Sequence, residues 1–103
     1  MLDKLNLLNG IITYDSISWL GNNESEFINN KDNLTEDLLQ ISFSNEKYIV
    51  DVGWYPEFDE NGQFTVLLIH NLDWQKPLRL EKVKTIKDLI NAINKSIDLI
   101  DEK

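Results

Sequence analysis

The chain contains no cysteine, which excludes disulfide bridges, a thiol nucleophile and every thiolate-ligated metal site. A single histidine, His70, excludes a zinc site built on a His pair. The 4 glycines and 2 prolines are scattered, so nothing reads as an interdomain linker, and no repeat is visible at solenoid periods. No apolar run approaches the ~20 residues that a membrane-crossing helix needs. The opening MLDKLNLLNG carries an acid and no basic segment ahead of a long apolar stretch, so a soluble, unexported protein is expected. Basic residues are the other shortage: 10 Lys and Arg face 18 Asp and Glu, a formal net charge of -8. Nucleic acids and anionic membranes are bound by Lys and Arg set against phosphate. Neither is expected as a partner here, and a cationic protein is.

What is present fits one domain. The length of 103 residues leaves no room for a second core, so residues 1–103 are taken as a single unit. With 42% hydrophobic and 10% aromatic residues there is enough apolar surface to oppose the chain entropy of folding. The negative charge is uneven. Residues 1–62 hold 12 acids and 3 bases, and residues 63–103 hold 6 acids and 7 bases, so the field belongs to the first three-fifths of the chain.

Periodicity outlines the elements. Ile86, Leu89, Ile90, Ile93, Ile97 and Ile100 recur every three or four positions, which predicts an amphipathic C-terminal helix starting at Ile86, with Thr85 as N-cap and Asp88 completing a capping box. Gln40–Ser44 and Lys47–Tyr55 flank Asn45-Glu46 and predict a hairpin. Tyr48, Val50, Val52 and Trp54 alternate onto one apolar face that should meet the helix. Ile49, Asp51, Gly53 and Tyr55 fall on a mixed face. Asn61-Gly62, a dipeptide suited to positive φ, predicts a second turn before the strand Gln63–His70. That strand is apolar on both faces and is expected to be central. Leu78–Val83 reads as an edge or near-edge strand after Pro77. Nearer the N-terminus, Leu2, Leu5 and Leu8 hint at a short helix, Ile11–Leu20 alternates like a strand, and LTEDLL at 34–39 is assigned no element. The expected fold class is α+β, an antiparallel β-meander with the C-terminal amphipathic helix packed on one face.

Few residues suggest catalysis. His70 with Asp51 on the neighbouring strand has the makings of an oriented general base, but no nucleophile elbow, P-loop or dinucleotide fingerprint accompanies them. A structural histidine is the simpler expectation. The acids show neither the frame of an EF-hand nor a visible metal or glycosidase spacing, so no catalytic residue, metal site or cofactor is assigned. Aromatic residues interleave with acids, however. Tyr55 and Phe58 sit beside Glu57, Asp59 and Glu60, a pairing suited to a protein interface, where rings supply contact energy and carboxylates meet Arg or Lys. Glu24, Glu26, Asp32, Glu36 and Asp37 form a second acidic group. Trp54 shares the apolar face of its strand and fits the core as well as a contact. Tyr55 and Phe58 are open to either role, and Trp74 fits a packed corner or a second contact.

The stretch YIVDVGWYPEFDENGQFTVLLIHNLDW, with a basic strand and a terminal helix after it, resembles small immunity proteins of bacterial polymorphic-toxin systems, including contact-dependent growth inhibition. The resemblance covers about the last 55 residues. It rests on V-D-V-G-W-Y-P at 50–56, the acidic Asn-Gly turn and N-L-D-W at 71–74, and it carries over no binding position. It implies a cytoplasmic protein that binds its cognate toxin domain one to one and occludes the active site, the toxin being a basic protein such as a ribonuclease or other nuclease. Two other functions are compatible with the same residues: an acidic adaptor for a basic protein, and a small enzyme using Asp51 and His70.

Overall fold

The computed structural model describes residues 1–21 and 23–101. Five strands, β1 (Ile11–Asp15), β2 (Leu39–Phe43), β3 (Tyr48–Tyr55), β4 (Gln63–His70) and β5 (Arg79–Val83), precede the helix α1 (Ile86–Asp98). All neighbouring strands are antiparallel, and the sheet order β1-β2-β3-β4-β5 follows the chain. The fold is therefore an α+β meander with a C-terminal helix, as the alternation and the terminal periodicity indicate. β4, expected to be central, is an interior strand paired with β3 on one side and with the edge strand β5 on the other.

Local chemistry explains where the elements stop. The strand expected over 11–20 ends at Asp15, because its Oδ1 accepts the backbone N–H groups of Ile17 at 2.9 Å and Ser18 at 3.0 Å and so turns the chain. The Ile17 N–H above all holds this carboxyl below its ordinary range. Between β2 and β3 the turn spans four residues rather than two, with Ser44, Asn45 and Glu46 all left-handed at φ 53, 55 and 70. Between β3 and β4 the left-handed residue is Phe58, at φ 61, and Gly62 has no positive φ. Gly62 is needed for space instead: a Cβ there would sit 2.5 Å from Trp54 Nε1 and 2.8 Å from the Tyr55 carbonyl oxygen.

One face of the sheet carries the core. Leu39, Ile41 and Phe43 of β2, Tyr48, Val50, Val52 and Trp54 of β3, and Phe64, Val66 and Leu68 of β4 pack against Ile86, Leu89, Ala92, Ile93 and Ile97 of α1. The same face also receives Ile17, Leu20, Phe27, Leu34 and Leu38 from the segment between β1 and β2. Within it, Phe27 stacks on Phe64 with ring centres 5.6 Å apart and meets Trp54 edge-on at 6.0 Å. Trp54 is thus a core residue, and its indole N–H donates to the Asp59 carbonyl at 2.8 Å. No helix among the described residues is long and apolar enough to cross a membrane.

The helix start is held from two directions. Thr85 Oγ1 accepts the Asp88 N–H at 3.0 Å, the N-cap that the sequence indicates. Glu24, 62 residues earlier in the chain, accepts the Ile86 N–H at 2.7 Å and the Lys87 N–H at 2.9 Å, one on each carboxylate oxygen. A carboxylate at this end satisfies two N–H groups that the helix leaves unpaired and interacts favourably with the helix dipole. Glu24→Ala is therefore expected to lower stability by about 1–3 kcal/mol, and Glu26→Ala by less than about 0.5 kcal/mol. Urea unfolding of the two variants checks this, and equal effects would contradict the capping role.

Candidate protein-docking face

Strand alternation sends a second set of side chains to the face opposite α1, where the register aligns them in rows. Ile11 of β1 lies opposite Ser42 of β2, Ser42 opposite Ile49 of β3, and Ile49 opposite Ile69 of β4. The next row runs Tyr14, Gln40, Asp51, Leu67, Leu80 across all five strands. Beyond it come Gly53, Thr65 and Lys82, then Tyr55 and Gln63. Ile49 and Ile69 are buried but lie outside the main core cluster, as expected for residues shielded by their own sheet neighbours. The helix and the segment between β1 and β2 both pack on the other side. Large apolar side chains consequently stay open here: Ile11 is 67% exposed, Leu80 55%, Tyr14 45% and Tyr55 41%.

One end of this face is built by a bulge in the chain before β2. Thr35 O accepts the Trp54 N–H and Leu38 N–H donates to Val52 O, at 2.8 and 2.9 Å, so residues 36 and 37 are forced outward between two ladder positions. The Glu36 carbonyl then occupies the place where a side chain at position 53 would begin. Only glycine leaves room for it. Glu57 Oε1 accepts the Glu36 N–H at 2.8 Å, and Thr35 Oγ1 donates to the Asp37 carbonyl at 2.8 Å. Tyr55 passes beside Gly53, with its hydroxyl 3.4 Å from the Glu36 carbonyl. Burial raises the pKa of this phenol, and the carboxylates of Asp51, Glu36, Asp37 and Glu57 raise it further. The bulge thus adds Glu36 and Asp37 to Asp51 and Glu57 as the acids that act on this partly exposed ring.

The acids expected at an interface are divided by the fold. Tyr55, Glu57, Glu36 and Asp37 come together, although the sequence put them in two groups. Asp59 is occupied in its own turn, where its Oδ1 accepts the Asn61 N–H at 2.8 Å. Glu60 and Phe58 are exposed in the same turn. Glu24 caps α1, Glu26 lies beside Trp19 and Phe27, and Asp32 belongs to the 3-10 turn Phe27–Asn33. Trp74 is 44% exposed, in the β4–β5 connection. Asp51 and His70 do not meet, because Asp51 pairs with Leu67 on the open face while His70 alternates with Leu68 onto the core face. The His70 ring stacks on Tyr48 at 4.6 Å. Those two residues therefore form no dyad. No group of His, Asp and Glu among the described residues is arranged to hold a metal ion.

Asp51, weighed in the sequence only with His70, lies in the middle row of this face. It is 7% exposed, and its Oδ1 accepts from Gln40 Nε2 at 2.9 Å. Burial pushes its pKa up, against the Gln40 hydrogen bond, and the like charge of Asp37 adds to the rise. The detectable signal was an acid in the middle of an otherwise apolar strand, on its mixed side. No family model, curated protein or solved structure matches this chain.

The raised pKa has a consequence for stability. A carboxyl whose folded value exceeds its unfolded one opposes folding when ionised. The penalty is absent below the unfolded value, grows as pH climbs between the two, and is constant above the folded one. Asp51→Asn should therefore raise the urea midpoint at pH 7 and raise it less at pH 4, as unfolding at the two pH values would show. A lower midpoint at pH 7 would contradict the assignment.

Proposed function

We propose that this protein is a stoichiometric inhibitor of the immunity-protein kind, which binds a basic toxin domain one to one and covers its catalytic groove. The observation that carries the reading is the uncovered sheet face on which Tyr55 stands among Asp51, Glu36, Asp37 and Glu57. Exposed rings and closely set carboxylates are what an arginine- or lysine-rich surface requires of its partner. A nuclease must attract a polyanion and therefore carries such a surface around its active site. An inhibitor with a net charge of -8 is drawn to it by the same field, which speeds association before any contact forms. The proposal places the inhibitor in the cytoplasm, where it would meet a toxin delivered from a neighbouring cell. The resemblance of residues 48–74 to immunity proteins supports the same conclusion.

Coexpression with the toxin domain encoded immediately upstream should give a soluble one-to-one complex without growth arrest; arrest despite coexpression would refute the pairing. A complex in which the toxin stays active would favour the adaptor. Binding should weaken as salt rises, mainly through slower association, because exposed charges are screened beyond about 8 Å at physiological ionic strength. The triple variant Glu36→Lys, Asp37→Lys and Glu57→Lys should slow association further in surface-binding kinetics. Indifference to both salt and these reversals would mean that recognition is apolar.

A further inference from the structure

Asp51 stands in the middle row of the middle strand, with Gln40 and Tyr14 on one side and Leu67 and Leu80 on the other. It is 7% exposed, yet no helix or second sheet among the described residues lies over it. The donor set against it is a neutral amide, and the charge acting on it, from Asp37, has its own sign. Among the described residues no cation is paired with this carboxylate to compensate its desolvation. Thr or Val in its place would pack equally well on a half-buried strand, so the free chain gains no stability from an acid there. A buried acid that works against the fold marks a position kept for binding.

We propose that Asp51 is the anchor of the open face and receives the guanidinium of one arginine from the basic partner, laid along the row from Tyr14 to Leu80. This deepens the function proposed above and rests on it. Arginine fits better than lysine, because its planar head is weakly hydrated, forks onto a carboxylate and stacks on phenol rings such as Tyr14 and Tyr55. Leu67 across the ladder and Ile49 along the same strand limit water around the ion pair, so the contact is stronger than one at the exposed Glu60. A second copy of this chain is the wrong occupant. Each copy carries a net charge of -8, and a two-fold contact through this face would set like-charged acids together.

The test uses N-acetyl-arginine amide as probe and N-acetyl-glutamine amide as control, each titrated into the 15N-labelled full chain. Saturable shifts are expected at the Asp51 and Leu67 backbone amides and at the Gln40 side-chain amide with the arginine probe alone. In Asp51→Asn, whose own spectrum verifies its fold, affinity should fall about tenfold or more, whereas Glu60→Gln should change it less than twofold. Shifts centred on residues 57–60, shifts that do not saturate, or an unchanged affinity in Asp51→Asn would overturn the proposal. A concentration-dependent dimer joined through Tyr14 and Leu80 would also overturn it. Capture of the toxin with no arginine site at Asp51 would leave the inhibitor reading standing and remove the anchor. An arginine site without toxin capture would keep the anchor and remove the inhibitor.

Discussion

The architecture depends on a shortage of covering elements. The helix of 13 residues is about 20 Å long, close to the ~19 Å width of five strands set ~4.8 Å apart. Together with the segment between β1 and β2 it roofs one face of the sheet and leaves nothing for the other. Hydrophobic burial then decides the assignment of faces. Trp54, Phe64, Val50, Val52 and Val66 go to the covered face, and the mixed alternates are left outside. An uncovered sheet face normally becomes polar. Here it keeps Ile11, Tyr14, Leu80 and Tyr55 open to solvent, which is the composition of a contact surface.

Backbone geometry places the charge on that surface. Gly53 admits the Glu36 carbonyl, the bulge this creates brings two acids from before β2 to the end of β3, and Glu57 ties the bulge down from the following turn. Three stretches of chain thereby place carboxylates around one phenol. The opposite treatment befalls Glu24. Its carboxylate is set against the start of α1, so an acid that looks equivalent in the sequence is engaged in holding the fold together.

Periodicity made the sheet and the helix legible. The alternation at 48–55 identified the apolar face, and the spacing of Ile86, Leu89, Ile93 and Ile97 with Thr85 ahead of them located the helix and its cap. Features made by contacts distant in sequence were not legible. No local pattern announces that Glu36 lies against Gly53, or that Glu24 reaches a helix 62 positions later. The two hairpins were legible but not the details of their turns: left-handed backbone falls on Asn45, which tolerates it, and also on Ser44, Glu46 and Phe58, where local propensity disfavours it. Asp51 was visible as an acid on the mixed face, but that the face stays uncovered emerges only when every element has been placed.

The central claim is that the sheet face opposite α1 is the surface by which this protein binds. Hydroxyl-radical footprinting of the free chain and of its one-to-one complex tests it directly. The account predicts that Tyr14, Tyr55 and Leu80 lose reactivity in the complex while Leu99, at the end of the helix, keeps its own. Protection at Leu99 with Tyr14 and Tyr55 unchanged would place the partner on the helix side and contradict it.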